Sequence, residues 1–314
     1  MSQQSLNILI SGGGTGGHIF PALAIAEAIR TQRPGARFLF VGARGRMEME
    51  RVPAAGYPIE GLWISGLQRR MSLSNLTFPF KIIHSLVHAR RILRRFRPAV
   101  AVGVGGYASA PALWMASRMG IPTLIQEQNS FPGIANRILA RTADIICVAY
   151  EGMDRYFPAS AIRLTGNPVR HTVLPHQGKR AEALQHFGLS GNSPVLLSIG
   201  GSLGARTMNE AIAAGLDTIH EAGIQLIWQT GKAFIGEAER LAAPYPGIRP
   251  YAFIQRMDLA YSLADLVVSR AGAIAIAELS AAGMPSILVP SPNVTEDHQT
   301  KNALALVQKG AALM

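Results

Sequence analysis

The sequence is short of cysteine and of long apolar runs. Because Cys147 is the one cysteine, no internal disulfide can form, which excludes a disulfide-stabilised fold and favours a reducing compartment. Cys147 lies in an apolar run, where we expect a thiol to pack rather than to react. No stretch approaches the roughly 18 uncharged apolar residues of a membrane span, which argues against a polytopic membrane protein. The first residues show no basic region followed by an apolar core, and we therefore expect no secretory signal.

Acidic residues are scarce as well. The chain has 19 acidic and 30 basic residues, which gives a formal net charge of +11 at pH 7. Such an excess attracts phosphate, whether in nucleic acid, in anionic lipid or in a diphosphate substrate. Aromatic residues make up 7% of the chain, and the basic residues are mixed with apolar side chains rather than with stacking aromatics. This pattern disfavours a nucleic-acid-binding protein and leaves lipid and diphosphate substrates open.

What the 314 residues do contain is an alternation of short apolar runs and helical stretches. The runs expected to form buried parallel strands are 6–11, 37–42, 99–104, 123–127 and 144–149, then 194–200, 224–230, 265–270 and 286–290. Such alternation predicts an α/β fold with helices on both faces of a parallel sheet. A segment rich in proline, glycine and basic residues separates the two series, so we expect two doubly wound domains, 1–165 and 166–314. Ligands of such sheets bind at the carboxyl ends of the strands, here in a cleft between the domains.

The segment SGGGTGGHIFPA, at 11–22, joins an expected strand to an expected helix. Its glycines allow a ligand to approach the backbone, and the free amides of a helix start favour an anion. A dinucleotide fingerprint can be drawn through these glycines, but the second strand ends at Arg44 without the acid that would bind ribose. A P-loop is excluded because His18 stands where that motif has lysine. The loop is therefore either an anion site or a tight structural turn.

Two further glycine-rich loops, at 102–111 and 199–211, repeat the strand-to-helix arrangement. Three such loops exceed the need of one cofactor and suit an enzyme that holds two phosphorylated substrates, one in each domain. Alternatively, some of them only allow a strand and a helix to pack closely. An NADP-dependent oxidoreductase that used the first loop and Arg44 would leave the loop of the second domain unexplained.

Seven segments occur in an order that is typical of one family. They are GGGTGGHIFPALA, VGGYASAP, EQNSFPGIANR, TGNPVR, GGSLGAR, SRAGAIAIAELSAAGMPSILVP and EDHQTKNA. Together they closely resemble the undecaprenyldiphospho-muramoylpentapeptide β-N-acetylglucosaminyltransferases, the glycosyltransferases of the peptidoglycan lipid intermediate, from about residue 6 to the end. The resemblance implies a GT-B fold, with two Rossmann-like domains facing a cleft. It also implies inverting transfer of N-acetylglucosamine from UDP-N-acetylglucosamine to the C4 hydroxyl of N-acetylmuramoyl-pentapeptide on undecaprenyl diphosphate.

The resemblance also implies which residues bind the substrates. The implied donor residues are Thr15, Gly16, Gly17, His18, Asn129, Arg170, Ser202, Ile254, Ala273, Ile274, Ala275, Glu278, His298 and Gln299. A helix that begins near Ala273 would offer free amides to the diphosphate, and Glu278, one turn further, would accept hydrogen bonds from the ribose hydroxyls. The residues expected to bind the acceptor or its diphosphate are Gly13, Gly14, Gly105, Gly106 and Tyr107.

Inversion requires a general base near the anomeric carbon, and the candidates are His18 and Glu127. Histidine has suitable basicity near pH 7. As alternatives, His18 only binds phosphate, and Glu127 only orients the backbone. Helix amides and Arg170 can neutralise the departing diphosphate, and the sequence contains no Asp-x-Asp motif. We therefore expect no tightly bound metal, and at most a loosely bound Mg²⁺.

Residues 64–98 combine apolar and basic side chains. The residues expected to contact a membrane are Leu73, Leu76, Phe78, Phe80, Ile82, Arg69, Arg70, Lys81 and, on another helix, Trp114. Alternatively, the apolar residues form ordinary core and the arginines complement a helix end. With the resemblance we expect a peripheral protein on the cytoplasmic face of the plasma (inner) membrane. The expected partners are the two substrates, the anionic membrane surface and other cell-wall synthesis proteins, but not nucleic acid.

The sequence departs from the family pattern in its length and at several positions. Members usually run some tens of residues further, so we expect this chain to be truncated at its C-terminus. The family's glutamine in the third glycine-rich loop is Leu203 here, so that polar contact is not expected. The main alternative function is another GT-B enzyme with a soluble UDP-sugar substrate, such as an epimerase, which would not need the apolar and basic segment.

Overall fold

The computed structural model describes residues 6–65, 77–169, 178–201, 204–292, 294 and 297–314. The chain divides into two compact units, Met1–Pro168 and Val169–Met314, called here the first and second unit. Each unit contains one parallel sheet.

The first unit is built on a sheet of seven parallel strands in the order β3-β2-β1-β4-β5-β6-β7. The strands are β1 (Asn7–Ser11), β2 (Arg37–Ala43), β3 (Ile59–Leu62), β4 (Val100–Gly103), β5 (Thr123–Glu127), β6 (Ile145–Val148) and β7 (Ile162–Leu164). The helices are α1 (Gly16–Gln32), α2 (Glu48–Ala54), α3 (Phe78–Phe96), α4 (Ser109–Arg118) and α5 (Ile134–Leu139). Successive strand side chains point to opposite faces of a sheet, so apolar strands require cover on both faces. Ile8 and Ile10 pack with residues of α1 and α2, whereas Leu9 packs with residues of α3, α4 and α5.

The second unit repeats this architecture with five parallel strands in the order β10-β9-β8-β11-β12. The strands are β8 (Val195–Ile199), β9 (Gln225–Gln229), β10 (Ile248–Tyr251), β11 (Leu266–Arg270) and β12 (Ser286–Val289). The helices are α6 (Arg180–Phe187), α7 (Arg206–Ala214), α8 (Leu216–Glu221), α9 (Ile235–Ala242), α10 (Met257–Leu263), α11 (Ala273–Ala281) and α12 (His298–Val307). Two buried clusters, one on each face, fix these helices to the sheet; Leu197 belongs to one and Trp228 to the other.

These sheets confirm the predicted α/β class and the doubly wound parallel topology of both domains. All nine predicted apolar runs are strands, with ends that differ by a residue or two. Three strands were missed: β3, β7 and β10, and each lies at an edge of its sheet. An edge strand tolerates charged residues and proline, such as Glu60, Arg163 and Pro250, which obscure the apolar pattern.

A charged network ties α6 to α10 in the second unit. The buried carboxylate of Asp258 accepts hydrogen bonds from Lys179 at 2.9 Å and from Arg256 at 2.8 Å. Arg256 also bonds Glu182 on α6 at 3.1 Å. The hydrogen bonds from Arg256, supported by Lys179, hold the pKa of Asp258 well below its ordinary value.

Asp258→Asn is expected to lower the free energy of unfolding at pH 7 by about 1.5–3 kcal/mol, the range for hydrogen bonds to a charged group. Because the folded-state pKa is depressed, this contribution is complete above the unfolded pKa of about 4 and is lost as the pH falls below it. Urea unfolding between neutral pH and about pH 2 measures the difference between wild type and variant, which should shrink only in the acidic part of that range. The exposed Glu221→Gln of the same unit is the control, and a difference independent of pH would contradict the prediction.

Candidate functional site

The loops after β1 and β4 meet backbone to backbone in the first unit. Gly106 has φ 82°, and a Cβ on it would lie 2.3 Å from the carbonyl oxygen of Gly13. Gly14 has φ 90° and lies against the ring of Tyr107. Glycine is required at these positions because a side chain would both strain the backbone and separate the loops. The predicted acceptor residues Gly13, Gly14, Gly105, Gly106 and Tyr107 are thus brought together at the carboxyl ends of two adjacent strands.

His18 lies in the first turn of α1, directly over the second loop. Its Nδ1 is 3.1 Å from the carbonyl oxygen of Gly13 and 3.3 Å from Oγ1 of Thr15. A carbonyl oxygen can only accept a hydrogen bond, so Nδ1 carries a proton and donates a hydrogen bond to the carbonyl of Gly13. In the neutral imidazole the lone pair then lies on Nε2. Nε2 lies beside Gly105, 3.0 Å from the place of a Cβ there. The geometry therefore places Nε2 of His18 at the junction of the two loops.

Glu127, at the end of β5, is enclosed by the segment that follows it. Its side chain is 2% exposed and accepts hydrogen bonds from the amide of Asn129 at 3.0 Å, from the amide of Gly133 at 3.2 Å and from Nδ2 of Asn136 at 2.9 Å. Burial raises the pKa of Glu127, and these hydrogen bonds oppose the rise. Both carboxylate oxygens are engaged in shaping this segment, which favours the alternative in which Glu127 positions Asn129 rather than acting as the base.

Tyr107 closes the side of the first loop. Burial raises the pKa of its hydroxyl, and the positive charge of Arg46 opposes that rise. The hydroxyl therefore stays protonated at neutral pH and can donate a hydrogen bond to an anionic ligand.

Glu48 is a functional residue that the sequence analysis missed. It begins α2 and is 1% exposed, and its carboxylate accepts hydrogen bonds from the amide of Gly14 at 3.0 Å and from the amide of Ala43 at 2.9 Å. It also fills the space beside Gly13, where a Cβ would lie 2.2 Å from Oε1. Glu48 thus holds the first loop to the end of β2. An acidic residue at the start of a helix is common, so nothing local in the sequence marked this role.

Glu48→Gln is expected to reduce kcat by about tenfold, because one of the two backbone amides then faces an amide nitrogen instead of an oxygen. The glycine-rich loop would shift while the donor residues of the second unit stay in place. The KM for the acceptor should therefore rise more than the KM for the donor, whose predicted residues include Thr15, Gly16, Gly17 and His18 of this loop. Steady-state kinetics of donor and acceptor separate the two effects, and Glu50→Gln in the same helix is the control. An unchanged kcat would show that the loop does not need this carboxylate.

The second unit holds the predicted diphosphate and ribose residues on one helix. Helix α11 begins at Ala273, with Gly272 as its N-cap, so the amides of Ala273, Ile274 and Ala275 lie in its first turn. Glu278 is 9% exposed, and the hydroxyl of Tyr261 is 3.5 Å from its Oε2. The turn therefore offers positive partial charge for a phosphate and, one turn on, a carboxylate for hydroxyl groups.

Gln229, at the end of β9, joins two loops of the second unit. Its Nε2 donates to the carbonyl of Gly201 at 3.2 Å, and its Oε1 accepts from the amide of Ile254 at 3.1 Å. Ile254 itself is 2% exposed, and Gln229 holds its backbone amide. The sequence predicted Ile254 as a donor residue but not the glutamine that holds it, because the contact joins residues 25 positions apart.

His298 and Gln299 begin α12, beside the end of β12. Gln299 accepts a hydrogen bond from the amide of Ser291 at 2.8 Å, which fixes the turn in front of the helix. Arg270 braces the same edge, with hydrogen bonds to the carbonyl of Pro290 at 2.9 Å and to Oγ1 of Thr207 at 2.7 Å. The described donor residues of the second unit thus all follow carboxyl ends of strands of one sheet, Ile254 after β10 at one edge, and the others after β11 and β12 at the opposite side.

Some predicted residues lie outside the described residues. These are Arg170 and Ser202 of the donor set and Arg69, Arg70, Leu73 and Leu76 of the membrane set.

The described members of the membrane set lie on α3 and α4. Phe80 is 70% exposed and Trp114 39%, whereas Phe78, Ile82 and Lys81 are half-buried. Lys81 bonds Ser65 at 3.2 Å and lies 5.8 Å from the ring centre of Trp63. Among the described helices, none is both long and apolar enough to cross a membrane.

Comparison with known proteins identifies the family. The glycosyltransferase family 28 N-terminal domain matches residues 8–148, and the glycosyltransferase family 28 C-terminal domain matches residues 195–314. A UDP-N-acetylglucosamine–N-acetylmuramyl-(pentapeptide) pyrophosphoryl-undecaprenol N-acetylglucosamine transferase of Phocaeicola vulgatus is 57% identical over 99% of this chain and 84% of its own length. The transferase of the same name from Parabacteroides distasonis is 54% identical over 98% and 84%.

Solved structures agree with this assignment. The crystal structure of Acinetobacter baumannii MurG matches with a TM-score of 0.76 and 31% identity, over 98% of this chain and 85% of that one. A UDP-N-acetylglucosamine 2-epimerase matches with a TM-score of 0.64 but 12% identity, over 99% and 84%, which shows a shared fold alone. The predicted GT-B fold and the predicted glycosyltransferase class are confirmed, and MurG is favoured over the epimerase. The chain therefore belongs to the UDP-N-acetylglucosamine–N-acetylmuramyl-(pentapeptide) pyrophosphoryl-undecaprenol N-acetylglucosamine transferases, built from glycosyltransferase family 28 domains.

Proposed function

We propose that this protein transfers N-acetylglucosamine from UDP-N-acetylglucosamine to the C4 hydroxyl of undecaprenyl-diphosphate-linked N-acetylmuramoyl-pentapeptide, with inversion. The observation that carries the proposal is the first turn of α11 followed by the buried carboxylate of Glu278. The positive end of a helix suits a diphosphate, and a carboxylate one turn further suits the hydroxyls of a ribose. A nucleoside diphosphate is the ligand that needs helix-start amides for its phosphates and a carboxylate for its ribose at this spacing.

The donor is held by the second unit in this mechanism. The amides of the first turn of α11 bind the diphosphate of UDP and stabilise the charge that develops on it as it departs. The backbone of Ile254, held by Gln229, faces the uracil. His298 and Gln299 bond the hydroxyls of the sugar. This assignment needs no tightly bound metal, because backbone amides supply the positive potential that the leaving group requires.

The acceptor is held by the glycine-rich loops of the first unit. Amides of the loops after β1 and β4, other than that of Gly14, which Glu48 holds, bind the diphosphate of the lipid-linked sugar together with the hydroxyl of Tyr107. Nε2 of His18 takes the proton from the C4 hydroxyl while that oxygen attacks the anomeric carbon and the bond to UDP breaks. Glu127 acts through Asn129, whose amide and side chain it holds.

The test is transfer of labelled N-acetylglucosamine to a short-chain lipid-linked muramoyl-pentapeptide, run with and without EDTA. We expect a β-linked disaccharide product in both conditions. If UDP protects the protein against thermal unfolding but no disaccharide forms, the acceptor is wrong. If UDP does not protect it either, the donor assignment is wrong.

The protein contacts the membrane through the exposed side chains of α3 and α4. Phe80 and Ile83 of α3 are 70% and 61% exposed, and Trp114 of α4 lies on the helix that packs against α3. Exposed apolar side chains among arginines are typical of a protein that lies on an anionic membrane. The location that follows is the cytoplasmic face of the plasma membrane, where the lipid-linked acceptor lies.

Phe80→Ser combined with Ile83→Ser is expected to reduce binding to anionic vesicles by at least about tenfold, because two large apolar side chains no longer enter the interface. Sedimentation with phosphatidylglycerol-containing vesicles measures the binding. Transfer to a short-chain acceptor in solution should be unchanged. Ile134→Ser on α5 is the control for loss of an exposed isoleucine. If it reduces vesicle binding as much as the double variant does, the membrane contact is not specific to α3.

A further inference from the structure

A surface pocket of about 560 Å³ lies in the first unit between α5 and the segment 154–158, which follows β6. Its volume falls in the range of about 300–1,000 Å³ that is typical of small-molecule sites. Among the described residues that line it, none belongs to α3 or α4, and none is assigned above to either substrate. The membrane contact and the transfer mechanism therefore leave this pocket unexplained.

Positive charge dominates the wall of the pocket. Arg137 and Arg141 are exposed and lie four residues apart, on α5 and directly after it, and Arg155 lines the pocket from the segment after β6. Asp154 also lines the pocket, but within the described ranges none of the three arginines forms an ion pair with a carboxylate. Uncompensated guanidinium groups in a concave site favour a ligand with a carboxylate or a phosphate.

The remainder of the lining is largely apolar and aromatic. Ile134 and Ile138 are 69% and 53% exposed, and their spacing of four residues places them on one side of α5. Tyr156 is half-buried, and the guanidinium of Arg155 lies 4.9 Å from the centre of its ring. Phe157, which is 3% exposed, lies beneath them. The pocket therefore suits a ligand that carries hydrocarbon side chains as well as negative charge.

Helix α5 separates this pocket from the acceptor site by its own width. Nε2 of His18 and Nδ2 of Asn136 lie 3.0 Å and 3.7 Å from the place of a Cβ on Gly105, so the two nitrogens are less than about 7 Å apart. Asn136 is 2% exposed and belongs to the inner side of α5, whereas its neighbour Arg137 is exposed on the outer side. A group attached to the acceptor sugar beside His18 therefore has a short path around the start of α5 into the pocket.

The segment in front of α5 also joins the two places. Glu127 accepts a hydrogen bond from the amide of Gly133, directly before the helix. Phe131, in the same segment, packs edge-on against Tyr156 of the pocket, with ring centres 5.2 Å apart. The segment that forms one side of the acceptor site thus supports a wall of the pocket.

A pentapeptide has the length and the charge for this path. Five extended residues span at most about 17 Å. A helix rises by about 1.5 Å per residue, so Ile134 and Arg141 lie about 10 Å apart along α5 and the turn after it. Because the muramoyl group acylates the amino end of its pentapeptide, the other end carries a free carboxylate. A peptide that starts beside His18 can therefore bring this carboxylate to the arginines.

We propose that this pocket binds the peptide stem of the lipid-linked acceptor. The terminal carboxylate pairs with Arg137 and Arg141, and the peptide side chains lie against Ile134 and Ile138. The inference rests on the proposed function, because the peptide arrives only as part of the acceptor. It adds a subsite that determines acceptor specificity, and its arginines do not touch the reacting atoms.

The test uses two short-chain lipid-linked muramoyl-pentapeptides in solution, one with a free terminal carboxylate and one with a terminal carboxamide. Wild type is expected to show a KM about tenfold higher for the carboxamide, because charge-assisted hydrogen bonds are lost. In Arg137→Gln combined with Arg141→Gln, the KM for the free carboxylate should rise about tenfold, to the value for the carboxamide. The kcat and the KM for the donor should stay within about twofold of wild type.

Arg33→Gln combined with Arg37→Gln is the control, because it removes the same charge near the start of β2. It should change the KM for either acceptor by less than about twofold. Equal effects of the two double variants would overturn the subsite and leave only diffuse attraction. Equal KM values of wild type for the two acceptors would overturn it while the transfer reaction stands.

Two further outcomes separate this subsite from the other proposals. If Arg137→Gln with Arg141→Gln loses binding to phosphatidylglycerol-containing vesicles but keeps the preference for the free carboxylate, the pocket serves the membrane and the peptide assignment is wrong. If wild type forms no disaccharide from either acceptor, the proposed transfer fails and the subsite fails with it.

Discussion

Glu278→Gln is expected to lower kcat/KM for UDP-N-acetylglucosamine by about 100- to 1,000-fold, mostly through KM. The buried carboxylate would accept two hydrogen bonds from ribose, and charge-assisted bonds contribute about 1.5–3 kcal/mol each. Glutamine keeps the size of the side chain but leaves one ribose hydroxyl facing an amide nitrogen. Initial rates over a range of donor concentrations measure the change.

A deoxy donor makes this experiment specific. Wild type should discriminate against the 2′-deoxyribose analogue of UDP-N-acetylglucosamine, whereas the Glu278→Gln variant should treat the two donors nearly alike. Glu239→Gln, an exposed substitution in the same unit, controls for loss of charge. Tyr261→Phe, which removes the hydroxyl 3.5 Å from Oε2, should produce a much smaller change than Glu278→Gln. A KM within threefold of wild type in Glu278→Gln would remove this residue from the donor site.

The sequence predicts the fold best where burial on both faces of a sheet demands continuous apolar runs. Strands such as β1 and β8 meet that demand, and edge strands such as β10 do not. The glycine-rich loops were visible for a related reason, since close backbone approach allows little other than glycine. Residues that hold those loops were invisible, because the role of Glu48 or Gln229 depends on contacts between distant parts of the chain. A carboxylate that holds amides looks the same in sequence as a solvated one.

The geometry favours His18 over Glu127 as the general base, whereas the sequence offered both as candidates. A general base needs a lone pair that can reach the substrate. Both oxygens of Glu127 already accept hydrogen bonds from its own segment. His18 uses Nδ1 to bond Gly13, and this bond assigns the lone pair to Nε2.

His18→Ala is therefore expected to lower kcat by about 10²–10⁴-fold, the usual contribution of a general base. His18→Asn is the informative partner, because an asparagine amide can replace the Nδ1 donor to Gly13 but supplies no base. If His18 acts as the base, the two variants should be almost equally slow. If His18 only holds the loop, the asparagine variant should recover most of the wild-type kcat.

The pH dependence of kcat decides the same question independently. A base must be unprotonated, so the wild-type kcat should fall on the acidic side of its optimum, and that fall should disappear in His18→Asn. Glu127→Gln should keep the acidic fall while lowering kcat, since the disturbed hydrogen bonds displace Asn129 without removing the imidazole. The opposite pattern, with the fall lost in Glu127→Gln and kept in His18→Asn, would assign the proton transfer to the buried carboxylate. In that case the segment 129–136 would have to open around Glu127 before the acceptor could bind, because its carboxylate is closed off in this arrangement.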